Sequence, residues 1–273
     1  MSFFFSKHHT LHYVTRGNRT QPPLLLLHGF LGSHQDFAPV LPTLSLYFYC
    51  IVPDLPGHGQ TKTEPDAYTF PKTAESLLAL LSHLNICETH LLGYSMGGRL
   101  ALYLACEFPD CFISVVLESA SPGLKTAEQR VERRKRDGAI AHRLQTTPLS
   151  TFLHQWYRNP LFSSLQQHPD KHVAMLQCRK NNDPVALASA LQGLGTGQQP
   201  SLWKALESME RPLLLIVGGL DTKFVAINDE MVTTTLGRRG VRLEVIENCG
   251  HNLHLEAPTI YAHIVLLFLV GRL

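Results

Sequence analysis

No stretch of the 273-residue chain approaches the roughly 20 consecutive apolar residues that a membrane span requires. The longest apolar runs, such as Leu24 to Leu27 and Ile264 to Val270, are far shorter. Phe3, Phe4 and Phe5 are followed at once by Ser6, Lys7, His8 and His9, which leaves no secretory h-region, so a cytoplasmic location is expected. Charge of one sign is also missing. A formal net charge of +2 predicts neither a nucleic-acid partner nor membrane docking. With 44% apolar and 17% charged residues, disorder, collagen-like repeats and coiled coil are excluded. The six cysteines, Cys50, Cys87, Cys106, Cys111, Cys178 and Cys249, form no C-x-x-C pair and show no metal-type spacing with histidine. They are expected to be reduced core thiols, and no metal site is expected.

What is present is an alternation of short apolar runs and helix-length segments. Leu24 to Leu27, Tyr49 to Val52, His90 to Leu92, Ile113 to Leu117, Leu213 to Val217 and Val241 to Ile246 have the pattern of strands, several of them apolar throughout. Lys72 to Leu84, Met96 to Phe108, Phe224 to Leu236 and Ala257 to Leu269 carry helical spacing. The expected fold class is α/β, with a mostly parallel central sheet flanked by helices. Between Pro122 and Pro200 no strand-like run occurs and the composition turns polar and basic. We therefore expect a core of residues 1–121 and 201–273 and an inserted helical cap over 122–200. Eleven Lys and Arg against five Asp and Glu place the cap at +6 and the remainder at −4. Such an excess favours an anionic substrate, or else forms a solvated helix face along Arg130 to Arg136.

Gly93-Tyr94-Ser95-Met96-Gly97 has the Gly-x-Ser-x-Gly spacing of a nucleophile elbow and sits between a strand and a helix, as that motif requires. In such sites an acid and then a histidine follow the serine along the chain. Asp221 ends the strand-plus-loop Leu213 to Asp221, and His251 follows the strand Val241 to Ile246. Asp221 would fix the tautomer of His251, and His251 would activate Ser95. His254 is the near competitor for the histidine role. The amide of Met96, with that of Phe30 in His28-Gly29-Phe30, would form an oxyanion hole. The loop Pro53 to Gly59 is expected to be turn scaffolding.

On His28-Gly29-Phe30, the Asp54 to Gly59 loop, the Ser95 elbow, Asp221 and His251, the chain resembles the α/β-hydrolase superfamily along its whole length. A narrower similarity lies in Gly93 to Arg99, Ser121-Pro122-Gly123-Leu124, Gln155 to Pro160, Arg179-Lys180-Asn181-Asn182, Asp221-Thr222-Lys223-Phe224 and Gly250-His251-Asn252. Together these resemble the SHCHC synthases of menaquinone and phylloquinone biosynthesis. That family eliminates pyruvate from the tricarboxylate SEPHCHC to give 2-succinyl-6-hydroxy-2,4-cyclohexadiene-1-carboxylate. The similarity implies a lyase without metal or organic cofactor, a small-molecule tricarboxylate as its partner, and a monomer. It also implies substrate contacts from Tyr94, Arg99, Arg133, Trp156 and Arg179 around Ser95, Asp221 and His251. Arg130, Arg134 and Arg136 compete with Arg133, since a one-turn change of register exchanges them. Leu220 departs from the family pattern, where a polar residue often precedes the acid. The alternative reading is a serine carboxylesterase or C–C bond hydrolase acting on another small acidic substrate.

Overall fold

A computed structural model describes residues 2–235, 238 and 240–271 of the chain. Its described strands form a single sheet: β1 (Ser2–Phe5), β2 (His9–Arg16), β3 (Pro23–Leu27), β4 (Tyr49–Pro53), β5 (Lys62–Thr63), β6 (Thr89–Tyr94), β7 (Phe112–Glu118), β8 (Leu213–Gly218) and β9 (Val241–Ile246). The order is β1-β2-β4-β3-β6-β7-β8-β9, with β5 beside β2. From β4 to β9 in that order every pairing is parallel. Only β1, β2 and β5 introduce antiparallel ladders.

The parallel strands are apolar at consecutive positions because both faces are covered. Leu25, Leu27, Leu91 and Leu215 pack on one side against Leu77, Leu80, Leu100 and Leu104 of the helices Phe70–His83 and Met96–Glu107. Leu24, Leu26, Leu92 and Leu214 pack on the other against Phe37, Leu41, Tyr261 and Val265. Local signals start the helices. The Thr69 hydroxyl accepts the Lys72 amide at the head of Phe70–His83, and Thr126 with Gln129 closes a capping box at the head of Ala127–Thr146. The helix expected over Phe224 to Leu236 runs from Thr222 to Thr234; Leu236 lies outside the described residues.

The sequence pattern does not announce β1 and β2. Phe3 and Phe5 are exposed, and β2 buries two histidines where apolar residues would mark a strand. Each bonds across the fold through Nδ1, His9 to Ser76 and His12 to Asp54, while both Nε2 atoms are buried without a partner among the described residues. The cysteines also need correction. All six are free, but only Cys50 and Cys249 are buried, and Cys87 is exposed in the turn before β6. Burial pushes the Cys50 thiol up to about 12.

Between β7 and β8 the described chain is helical throughout. The helices Ala127–Thr146, Leu149–Trp156, Pro169–Arg179, Pro184–Leu194 and Trp203–Ser208 and the 3-10 turn Pro160–Gln167 occur there without a strand. Their apolar faces build a second core around Leu144, Phe152, Leu165 and Leu187, into which Leu31 of the β3–β4 connection inserts. The basic run holds this layer together as well as facing water. Arg130 donates to the Leu124 carbonyl, Arg134 to the Gly197 carbonyl, and Arg133 to Asp137. No helix among the described residues is long and apolar enough to cross a membrane.

Candidate active site

Strand β6 ends in a turn too tight for most residues. Ser95 adopts φ 51°, ψ −106°, a strained conformation for a non-glycine residue, and the helix Met96–Glu107 begins at the next position. The glycines on either side make this possible. A Cβ on Gly97 would lie 2.1 Å from the Leu27 carbonyl oxygen, and one on Gly93 would lie 2.5 Å from the Gly97 carbonyl oxygen. Helix, β6 and β3 therefore touch backbone to backbone, and the Ser95 side chain is carried at the carboxyl edge of the sheet, where such folds place their ligands.

From the same edge, β8 delivers Asp221 and β9 delivers His251. Asp221 caps the helix Thr222–Thr234, accepting the Phe224 amide at 3.3 Å through Oδ1. Its Oδ2 accepts from His251 Nδ1 at 2.6 Å, and His251 Nε2 stands 3.1 Å from Ser95 Oγ. Because Nδ1–H donates to the carboxylate, Nε2 is left as the acceptor toward the hydroxyl. Rings from three elements surround the imidazole: Phe224 at 4.8 Å, Tyr94 at 5.5 Å and Phe162 at 5.8 Å between centroids. His254 is placed elsewhere, its Nδ1 donating to both oxygens of buried Glu118 at 2.8 and 2.9 Å.

Opposite Ser95, the loop after β3 carries Phe30. A Cβ on Gly29 would meet the Tyr94 ring at 2.6 Å, so this loop presses on the residue before the serine. Leu31 holds φ 69°. Two histidines fix that conformation. Leu31 N–H donates to His58 Nε2 at 3.1 Å, and Leu55 N–H donates to His28 Nε2 at 2.9 Å. Both imidazoles must stay neutral to accept. Burial lowers His28 and brings His58 down to about 3, so they do. Among the described residues the Phe30 amide has no protein acceptor, and the Met96 amide opens its helix and so lacks an intrahelical one.

Over this ensemble lies a cavity of about 1000 Å³, lined by Phe30, Tyr94, Ser95, Met96, Asp221 and His251 from below and by cap residues from above. Arg99, Arg133 and Trp156 line it too. Arg99 is one turn along from Ser95 and only 9% exposed. Its hydrogen-bond partner is the Leu194 carbonyl at 2.9 Å, and no carboxylate is paired with it among the described residues. Burial, aided by the nearby Arg133 cation, lowers its pKa to about 9, so it is charged at neutral pH. Of the competing arginines, Arg133 and the more exposed Arg136 reach the cavity, whereas Arg130 and Arg134 are turned to backbone carbonyls. Trp156 stacks on Phe152 and meets the Phe30 ring edge-on at 5.6 Å.

Arg179 departs from the expectation. It is not among the residues lining the cavity. Its guanidinium is 3% exposed and forks onto Asp36 of the core, Nη1 to Oδ1 at 2.8 Å, while Nε donates to the Tyr157 hydroxyl. Asp36, invisible as a partner in the sequence, claims the fork that an incoming carboxylate would need. Sequence reasoning also passed over Lys125, Lys223 and Glu230 at the cavity wall. Lys223 was within reach, as the second residue after Asp221 at the head of an inward-facing helix. His12, His34 and Asp54 form a cluster with metal-ligand residue types. However, Asp54 Oδ2 and Oδ1 each accept from a histidine Nδ1, of His12 and His34, at 2.8 Å, so the arrangement fits a hydrogen-bond hub that steadies the Pro53 to Gly59 loop.

Residues 22–258 match the α/β hydrolase fold family. A putative 2-succinyl-6-hydroxy-2,4-cyclohexadiene-1-carboxylate synthase from Bacillus subtilis (strain 168) is 37% identical over 261 residues, 93% of this chain and 93% of its own. The 2-succinyl-6-hydroxy-2,4-cyclohexadiene-1-carboxylate synthase of Salmonella arizonae is 35% identical over 245 residues, covering 89% of this chain and 91% of its own. Among solved structures, MenH from S. aureus superposes with a TM-score of 0.89 at 31% identity, over 98% of this chain and 99% of that one. The chain belongs to the α/β-hydrolase family, in the branch that holds the 2-succinyl-6-hydroxy-2,4-cyclohexadiene-1-carboxylate synthases.

Proposed function

We propose that the protein is a lyase that eliminates pyruvate from SEPHCHC to give SHCHC, with Ser95, His251 and Asp221 as its catalytic residues. The observation that carries this reading is Arg99: a buried cation in the wall of the cavity above Ser95 with no salt bridge of its own among the described residues, the nearby Asp137 being paired with Arg133. An enzyme for neutral esters gains nothing from holding such a charge, whereas a polycarboxylate substrate supplies the missing partner. The relatives' names agree with that chemistry.

In the reaction His251, oriented by Asp221, draws the proton from Ser95, and the Ser95 oxygen removes a substrate proton next to a carbonyl. The C–H electron pair becomes an enolate, whose oxygen the Phe30 and Met96 amides receive. As the enolate collapses, the C–O bond to the enolpyruvyl group breaks. The departing oxygen takes the proton back from His251, and the released enol becomes pyruvate. No acyl-enzyme forms. Arg99, Arg133 and Lys223 hold carboxylates of the substrate, and Tyr94 and Trp156 pack against its body. Arg179 acts from behind through Tyr157.

The test is pyruvate release from freshly generated SEPHCHC against the spontaneous rate. Wild type should exceed that rate by orders of magnitude, and Ser95→Ala should release pyruvate on the order of 10³-fold or more slowly than wild type. Wild-type release at the spontaneous rate would overturn the proposal.

A further inference from the structure

We infer that Glu256 is a positioning residue: its carboxylate fixes the chain on both sides of His251 and ties that placement to the cap through Ser164. It lies five residues after His251 in the short helix Leu253–Glu256 and is 5% exposed. One carboxylate oxygen, Oε2, accepts the Gly250 amide at 2.8 Å. The other, Oε1, accepts the Asn252 amide at 3.3 Å and the Ser164 hydroxyl at 3.0 Å. Gly250 and Asn252 are the two neighbours of His251, so one buried group grips both peptide flanks of the imidazole. Its own backbone is tied in as well, with its amide donating to the Asn252 carbonyl at 2.9 Å and its carbonyl accepting from Lys171 of the cap at 3.0 Å.

Two of these ties cross from cap to core. Ser164 belongs to the turn Pro160–Gln167, the same turn that sets Phe162 against the imidazole. The fit is close: a Cβ on Gly250 would lie 1.9 Å from Ser164 Oγ, so only glycine allows the serine to reach the carboxylate. Asp221 orients the ring about its own axis, but the distance from Nε2 to Ser95 depends on where the loop stands. A displacement of about 1 Å there costs on the order of 100-fold in rate. A carboxylate can accept from three donors at once; an amide has one acceptor oxygen and presents donors of its own to the Gly250 or Asn252 amide. The chemistry of the three donors therefore asks for an acid at this position.

This inference rests on the triad reading of Ser95 and His251, so its test must not depend on the identity of the substrate. The rate at which a fluorophosphonate ester labels Ser95 reports activation of the serine by His251, with the oxyanion-hole amides unchanged in these variants, and does not require the lyase substrate. We expect Glu256→Gln to slow labelling about 10- to 100-fold, and to lower kcat for pyruvate release by a similar factor with KM changed less than about threefold. Ser164→Ala, which keeps both loop amides bonded, should slow labelling less. Adding it to Glu256→Gln should produce no further loss, because the two act through one contact. Thermal unfolding at the assay temperature checks that the variants are folded. Labelling of both variants at the wild-type rate, or additive losses in the double variant, would overturn the inference. Failure of wild type to label would remove the triad reading and the inference with it. Slowed labelling in a protein that releases no pyruvate would uphold Glu256 while removing the lyase reading.

Discussion

Replacing Arg99 with methionine should make the protein more stable and less active at once. The guanidinium is buried, and burial together with the Arg133 cation, partly offset by Asp137, lowers its pKa from 12.5 to about 9. At about 1.4 kcal/mol per unit, the charge costs the ligand-free fold on the order of 5 kcal/mol. Removing it forfeits one hydrogen bond, to the Leu194 carbonyl, and an unpaired buried acceptor costs about 1–3 kcal/mol. The balance favours the variant by about 2–4 kcal/mol, and at roughly 2–4 °C per kcal/mol for a chain of this size Tm should rise by at least about 4 °C. The methionine keeps the approximate length of the arginine stem, so the cavity wall retains its packing. Against this, a charged hydrogen bond to a substrate carboxylate is worth about 1.5–3 kcal/mol, and kcat/KM for pyruvate release should fall about 10- to 150-fold. Calorimetry and a coupled pyruvate assay, with a neutral aryl ester as a control for the serine, measure the two effects. A fall in Tm together with loss of turnover on every substrate would show that Arg99 is a structural residue and would refute the reasoning.

Two further outcomes follow from groups away from the reacting atoms. Asp36→Asn leaves Arg179 buried without its counter-charge, so unfolding should become easier by about 3–5 kcal/mol, read from the shift of a urea transition; a shift under about 1 kcal/mol would contradict the assignment of this pair. Acidification should unfold the protein through His58 and His28. The unfolded chain binds these protons near pH 6.5, while burial holds the folded His58 down to about 3 and lowers His28. Their contribution is complete above pH 6.5 and is lost as pH falls from there toward 3, at up to about 1.4 kcal/mol per pH unit for each ring. Urea midpoints between pH 7.5 and 4.5 should decline from just below 6.5, and a flat profile would exclude the mechanism.

Most of the sheet was legible in the sequence because a strand buried on both faces cannot avoid being apolar at every position. Leu24 to Leu27 and Leu213 to Val217 declare themselves for that reason. The elbow was legible because only small residues fit where Gly97 meets the Leu27 carbonyl. What escaped was whatever depends on distant pairing. Strand β2 hid behind histidines whose partners, Ser76 and Asp54, lie 67 and 42 residues away. Arg179 has the sequence neighbourhood of a substrate ligand, and only the fold reveals Asp36, 143 residues distant, in its fork. The Arg130 to Arg136 run offered several equivalent registers, and the carbonyls of Leu124 and Gly197 separate them. Glu256 stands in plain view beside His251, but the amides it grips carry no side-chain signature.

The Arg179–Asp36 pair also bears on how the cap is held. A cap that lifted bodily from the core would have to draw a guanidinium out of its fork and, with it, the Asn182 amide that donates to the Leu31 carbonyl at 2.9 Å. The pair is buried on both sides, at 3% and 5% side-chain exposure, so it ties the helical layer to the core at this point. The cavity itself is lined by Arg136, Lys125 and Glu230, charged groups that stand at half-exposed or exposed positions. Lys125 and Glu230 pair with each other there, so the charges at this wall are held by an exchangeable surface contact, in contrast to the buried fork of Arg179 on Asp36.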